Sequence, residues 1–156
     1  MTLSPTSGSV TTRKACPEDY DAIVAVVDTW WGKPVTSLLN RLHLNHFYDT
    51  SLIAEGENGE LAGFVIGFLS PSRPGEAYIH FTGVAPGMRR TGLARSLYEQ
   101  FFAGARQDGR TVVKAITSPQ NTRSIAFHTA MGFDCSEPLA DYDGPGQDRV
   151  VFSRHL

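Results

Sequence analysis

The stretch VAPGMRRTGLA at residues 84–94 decides the fold, because it joins a strand-like run to an amphipathic helical pattern. The start of a helix carries N–H groups without partners and a partial positive charge, so it favours an anion. Arg89, Arg90 and Arg95 add three full charges, and no acidic residue lies between positions 85 and 98. The stretch is therefore a candidate site for a phosphate-bearing ligand.

Two familiar nucleotide motifs do not fit this stretch. A P-loop requires a lysine and a serine or threonine directly after its second glycine, whereas Gly92 is followed by Leu93 and Ala94. A dinucleotide fingerprint requires Gly-x-Gly-x-x-Gly, and Gly83, Gly87 and Gly92 are spaced differently. A glycine-containing turn with surface arginines is the alternative that remains open.

The composition favours one soluble domain, with residues 1–9 as a flexible leader and residues 10–156 as the domain. The chain has 156 residues, of which 41% are hydrophobic and 19% are charged, enough to build one core. The net charge of −2 gives no global signal for nucleic acid, and the apolar runs are too short to span a membrane. Cys16 and Cys135 are isolated and lack metal-ligand spacing, so we expect a cytoplasmic protein without a metal, although a disulfide stays open.

The pattern of elements predicts an α/β domain with one central sheet, in the order strand, two helices, three strands, helix, strand, helix, two strands. One continuous helix is expected to follow Pro17 and to reach Trp31, where Gly32 breaks it. A second helix is expected to bury Leu38, Leu39, Leu42 and His46 on one side. Asn58-Gly59 between two apolar runs predicts a hairpin turn.

A second constellation of polar residues follows about 30 positions after the first. On a helix, Asn121, Ser124 and His128 fall along one stripe with Phe127 beside it, and Gly132-Phe133 ends the segment. Each residue also has a simpler explanation. Asn121 is a good helix cap, and His128 is equally compatible with a partly buried ring bonded to a carbonyl.

Together the two constellations resemble the GNAT superfamily of acyl-CoA-dependent N-acetyltransferases. The first matches the family pattern Arg/Gln-x-x-Gly-x-Gly/Ala at Arg89, Gly92 and Ala94, after a Val-x-Pro at residues 84–86. The second matches the pattern Asn-x-x-Ser/Ala with a following Gly-Phe. The resemblance implies the GNAT fold, a central, mixed and mostly antiparallel sheet flanked by helices, with splayed central strands. It also implies acetyl-CoA as co-substrate.

The resemblance assigns binding roles to residues in both constellations. The loop would hold the CoA pyrophosphate, and the arginine that reaches a phosphate is left open. The loop residues are Arg89, Arg90, Thr91, Gly92, Leu93, Ala94 and Arg95. The pantetheine arm would bond to the strand around Thr82 and Val84 and would contact Asn121, Ser124 and Phe127.

The catalytic roles are less well specified. His128 stands where the family commonly has a tyrosine, the general acid that protonates the departing thiolate. Imidazolium, with a reference pKa of about 6.5 against about 10 for tyrosine, is able to do so. His80 and Tyr78 share a strand face with Val84 and are candidate bases. For His80, a purely structural position in the sheet is the competing interpretation.

The sequence predicts acetyl transfer by direct attack of a primary amine of a small molecule or a peptide. Trp30 and Trp31 are candidates for the acceptor pocket, where one ring would line the pocket or contact a cation. A non-catalytic acyl-CoA-binding or sensing module is one alternative. Acetylation of protein N-termini or lysines is another. The oligomeric state is expected to be a monomer or a homodimer.

Overall fold

The computed structural model describes residues 10–156, and the leader expected at residues 1–9 lies outside the described residues. The strands are β1 (Thr11–Lys14), β2 (Leu52–Glu55), β3 (Leu61–Leu69), β4 (Glu76–Val84), β5 (Val112–Thr117), β6 (Asp134–Cys135) and β7 (Val150–His155). The helices are α1 (Asp19–Val24), α2 (Val27–Trp31), α3 (Arg41–Phe47), α4 (Leu93–Gln107) and α5 (Thr122–Ala130).

The seven strands form one sheet in the order β1-β2-β3-β4-β5-β7-β6. The β4–β5 pair is parallel, whereas β1–β2, β2–β3, β5–β7 and β6–β7 are antiparallel. The parallel ladder runs from Glu76–Val112 to Tyr78–Lys114, and β4 continues beyond it to Val84. The predicted mixed, mostly antiparallel α/β sheet is confirmed, and a short β4–β5 ladder is what splayed central strands require.

The chain divides into two units. The single domain expected at residues 10–156 therefore stays a prediction. Unit 1 holds the described residues up to Phe68 together with Phe81–Gly104, and unit 2 holds Leu69–His80 and Ala105–Leu156. Among residues 10–156, no helix has the length and apolar character that crossing a bilayer requires.

The first predicted helix is wrong in its continuity, because the structure has two short helices, α1 and α2, in its place. The N–H of Val26 bonds to the carbonyl of Ile23, three residues back, at 3.1 Å. Val26 itself leaves the helical region, with φ −122°. The turn is therefore tightened and the axis is interrupted, while Gly32 ends α2 at φ +72° as predicted.

The predicted buried face of the second helix is also wrong in part. Leu38 and Leu42 are 51% and 49% exposed, whereas Leu39 and Leu44 are buried. A short 3-10 turn at Thr36–Leu38 and an extended Leu39 precede α3, so the helical phase assumed from the sequence starts in the wrong place. The buried side chains pack into the apolar core of unit 1 with Phe64 and others of the sheet.

Arg110 holds the turn between β3 and β4 in unit 2. Its Nη1 donates to the carbonyl of Ser70 at 2.8 Å, of Glu76 at 3.1 Å and of Arg73 at 3.3 Å. Its Nε lies 2.9 Å from a carboxylate oxygen of Asp108, and the side chain is 14% exposed. One side chain therefore gives three backbone carbonyls of the turn a charged donor.

We expect Arg110→Ala to lower the free energy of unfolding by about 2 kcal/mol, because three carbonyls lose a charged donor. Urea denaturation followed by circular dichroism measures the change. Arg106→Ala, at an exposed position near the end of α4, is the matched control and should cost less than about 1 kcal/mol. Equal losses for both variants would contradict this account of Arg110.

Candidate functional site

The loop between β4 and α4 has an unusual backbone. Pro86 opens a 3-10 turn at Pro86–Met88, a position that suits a residue without an N–H. Arg90 and Gly92 both have positive φ, of +64° and +84°. Glycine adopts this conformation without steric cost, but an arginine there costs about 1 kcal/mol. Such strain is tolerated chiefly where the surrounding structure or a function requires it.

The loop presents the start of α4 to solvent. The N–H of Ser96 bonds to the carbonyl of Gly92 at 2.9 Å, which closes the first turn of the helix. The N–H groups before Ser96 therefore have no acceptor one helical turn earlier. Residues 89–92 are exposed, while Leu93 is 8% exposed and anchors the helix start. Exposed amides, the helix dipole and nearby arginines fit an anion such as a pyrophosphate.

The three arginines differ in their surroundings. The Arg89 guanidinium donates through Nη2 to the backbone carbonyl of Trp30. Arg95 Nη1 lies 3.8 Å from Glu99 Oε1, in an exposed pair within α4. Arg90 is exposed and lies at the positive-φ position of the loop. The structure thus separates residues that the sequence could not distinguish.

The hydroxyl of Thr91 donates to the carbonyl of Met88 at 2.6 Å and closes the loop internally. Thr91 and Met88 also line a shallow cavity of about 200 Å³ within unit 1. The cavity is also lined by Thr12, Gly92 and Gln100. The cavity walls are mixed hydroxyl, amide and apolar groups without an ionised side chain. The cavity therefore adds no charge to the anion site.

A missing side chain lets α4 approach the sheet closely. A Cβ built on Gly63 would lie 3.1 Å from the carbonyl oxygen of Gly83 and 3.2 Å from Leu93 Cδ2. Sequence reasoning missed a second contact, in which the Tyr98 hydroxyl and Thr82 Oγ1 share a hydrogen bond of 3.3 Å. Burial raises the pKa of Tyr98 to about 12. Its spacing of four residues from Phe102 was the available signal that Tyr98 faces the sheet.

In unit 2, Asn121 is the N-cap of α5, which confirms the capping prediction. Its Oδ1 accepts from the Ser124 N–H at 3.2 Å, and its Nδ2 donates to Thr117 Oγ1 at 3.1 Å. The amide side chain therefore fixes both the start of α5 and the end of β5. A contact between Asn121 and a cofactor stays a prediction.

His128 is buried among aromatic rings of unit 2. Its ring stacks on Phe152 with centroids 4.1 Å apart and an interplanar angle of 3°, and meets Phe133 edge-on at 5.0 Å. Nδ1 lies 2.8 Å from the carbonyl oxygen of Ser124, so Nδ1 carries the proton of that hydrogen bond. Burial lowers the pKa of His128, and the Ser124 carbonyl opposes this only in part. The ring is therefore neutral at physiological pH.

A family model for the acetyltransferase (GNAT) family matches residues 20–133, which is most of the chain. The chain belongs to the GNAT family. The chain is 34% identical over 128 residues to the L-2,4-diaminobutyric acid acetyltransferase of Halomonas elongata, covering 81% of this chain and 67% of that protein. It is 32% identical over 85 residues to the protein of that name from Nocardia farcinica, covering 54% of this chain and 44% of that protein.

The same fold occurs in solved structures of this family's type. A structure of yncA from Salmonella typhimurium with its cofactor acetyl-CoA aligns with a TM-score of 0.72 at 20% identity, over 95% of this chain and 94% of that chain. At this identity the likeness shows the fold alone. The GNAT chain spans about half the length of the first curated relatives it matches.

The two candidate bases of this GNAT chain lie on one face of β4, as predicted from the alternation. Tyr78 and His80 are both half-buried. Burial, with smaller effects from Tyr142 and Asp143, raises the pKa of Tyr78 to about 12. Tyr78 therefore stays protonated near neutral pH, and the predicted base role does not fit its environment. The role of His80 as a base stays a prediction.

Both tryptophans pack on the core of unit 1 without being fully buried. Trp30 stacks on Phe64 with centroids 6.2 Å apart, and Trp31 lies 5.1 Å from Phe81 at 30°. Lys33 Nζ is 5.9 Å from the Trp31 ring.

Within residues 10–156, no group of three or more His, Cys, Asp or Glu side chains is placed to hold a metal ion.

We expect the stability of the GNAT chain to fall as the pH drops below about 6.5, the reference pKa of an unfolded histidine. The unfolded ring takes up a proton there, whereas folded His128 resists it because its pKa is lowered. The contribution is fully present above pH 6.5, and is lost towards the lower folded pKa. Urea denaturation at pH 7.5, 6.5 and 5.5 measures this slope.

His128→Phe should flatten the slope, because phenylalanine keeps the stacking on Phe152 and does not titrate. His155→Gln, at an exposed position of β7, serves as the control and should keep the wild-type slope. An unchanged slope in His128→Phe would show that other groups cause the pH dependence.

Proposed function

We propose that this GNAT chain transfers an acetyl group from acetyl-CoA to a primary amine of a small molecule, with a 2,4-diamino acid as preferred acceptor. The observation that supports the proposal is the loop before α4, where exposed residues, two arginines and the start of a helix coincide with the family motif, an arrangement that suits an anion. The acceptor class is supported by relatives named L-2,4-diaminobutyric acid acetyltransferase.

The proposed acetyl-CoA contacts are the loop and β4 in unit 1 and, separately, residues of α5 in unit 2. The loop amides and an arginine would bind the pyrophosphate, as at other helix starts. Backbone groups of Thr82 and Val84 would bond to the pantetheine arm, and Ser124 and Phe127 are its proposed contacts on α5. Acetyl-CoA supplies an acetyl group activated as a thioester. The Tyr98–Thr82 hydrogen bond would tie β4 to α4 where that arm is proposed to lie.

The chain's own groups would act on charge and protons. An N–H near Val84 would stabilise the oxyanion, which commonly supplies a large part of catalysis. His80 is the proposed base for the acceptor amine. The surroundings of His128 do not favour a general acid role, because its neutral ring already donates the Nδ1 proton to the Ser124 carbonyl. A cytoplasmic setting and a monomer or homodimer stay predictions.

Thiol release from acetyl-CoA tests the proposal directly. We expect release with L-2,4-diaminobutyric acid, weaker release with monoamino acids, and little with short peptides or lysine-rich protein. A thermal shift with CoA alone tests binding. Stabilisation by CoA without thiol release on any amine would favour a binding module. A preference for peptides would favour protein acetylation, and no stabilisation by CoA would contradict the proposal.

A pair of glycine variants ties binding to the loop. Gly92→Ala should weaken CoA binding about fivefold or more, because alanine at φ +84° costs about 1 kcal/mol and shifts the amides. Gly104→Ala, in the interior of α4 with open space around the added Cβ, should leave CoA binding unchanged. Isothermal titration calorimetry measures both. Equal CoA affinities would exclude the loop as the pyrophosphate site.

Kinetics of His128→Phe test the acid role. General acid catalysis contributes about 10²- to 10⁴-fold, so loss of an essential acid would lower kcat by at least about 10². Because His128 is buried and neutral, we expect kcat to fall by less than about tenfold, with KM for acetyl-CoA little changed. A larger loss of kcat in a folded variant would restore His128 as the acid.

A further inference from the structure

Arg89 opens the family motif in the loop, yet its side chain is committed to another element of unit 1. Its guanidinium donates to the backbone carbonyl of Trp30, 59 positions earlier in the chain. Trp30 lies in the last turn of α2, where carbonyls have no donor within the helix and carry partial negative charge. A cation is favourable at such a helix end. Arg89 therefore caps α2 from the loop.

The Trp30 ring in turn lies close to β4. Its ring stacks on Phe64, and a Cβ built on Gly83 would lie 2.7 Å from the Phe64 ring and 3.5 Å from Trp30 Cε3. Gly83 thus leaves the space in which both rings pack against the strand. The next residue is Val84, near which the oxyanion donor is proposed. Trp31 directly follows Trp30, and its ring lies 5.1 Å from the Phe81 ring.

We propose that Arg89 is a positioning residue for the acceptor side, which clamps the end of α2 and its two tryptophans against β4. The charge that meets the phosphates comes instead from Arg90, which is exposed at the positive-φ position of the loop. The inference rests on the proposed function, because it assigns an acceptor to the surface that carries Trp30 and Trp31. Of the two adjacent arginines, Arg89 would therefore serve the acceptor and Arg90 would serve CoA.

Separate constants for the two substrates test the clamp. For Arg89→Ala, we expect kcat/KM for L-2,4-diaminobutyric acid, at saturating acetyl-CoA, to fall about tenfold, since small misplacements are costly. The Kd for CoA, measured by calorimetry, should change by less than about twofold. Arg90→Ala should raise that Kd about tenfold, the usual loss for a charge-assisted hydrogen bond. Arg106→Ala, near the end of α4, is the matched control and should alter neither constant.

Tryptophan emission gives a readout that does not depend on turnover. The chain has two tryptophans, at positions 30 and 31, so the emission of the ligand-free protein reports on the end of α2. Arg89→Ala should shift the emission to longer wavelength, because the freed helix end exposes the rings to water. Arg89→Lys keeps one donor and should recover most of the wild-type emission and acceptor kinetics. Arg106→Ala should not shift it.

Two results would overturn the proposal. If Arg89→Ala weakens CoA binding about tenfold or more, with or without an acceptor effect, Arg89 is a phosphate ligand. If it changes neither the emission nor the acceptor constants, the contact with Trp30 has no role. Failure of the wild-type chain to bind CoA or to release thiol would count against the proposed function instead, and the emission shift would still decide whether the clamp exists.

Discussion

Close approach at two glycines of adjacent strands is the constraint on which unit 1 depends. At Gly63, the absence of a side chain lets the first turn of α4 come down on the sheet, with Leu93 within van der Waals reach. At Gly83, it leaves room for Phe64 and Trp30 to pack against the strand. Because interiors are densely packed, these contacts determine where the loop between β4 and α4 must run.

The loop that results has two properties that are in tension. It exposes helix-opening amides and positive charge, which suits an anion, yet it holds Arg90 at a positive φ that arginine does not prefer. The strain is offset by anchors on both sides, a buried Leu93 and an Arg89 bonded to the end of α2. A loop held in this way would need little further ordering to bind an anion.

Unit 2 shows how burial changes the chemistry that a residue type suggests. A histidine in a family position usually held by tyrosine invites a catalytic interpretation. In the fold, His128 lies between phenylalanines and donates its Nδ1 proton to the Ser124 carbonyl. Taking a charge out of water costs more than one carbonyl returns, so the neutral ring is favoured. Burial favours the neutral form of Tyr78 as well, but there it raises the pKa, so the hydroxyl keeps its proton.

The sequence by itself determined the features that depend on near neighbours. The alternation of β4, the helix after Leu93, the Asn121 cap and the two family motifs were all predictable, since each signal spans only a few residues. Tertiary structure decided the break between α1 and α2, the burial of Leu39 in place of Leu38, the neutral state of His128 and the partner of Arg89. These depend on packing and on partners brought from distant parts of the chain, which a local pattern does not encode.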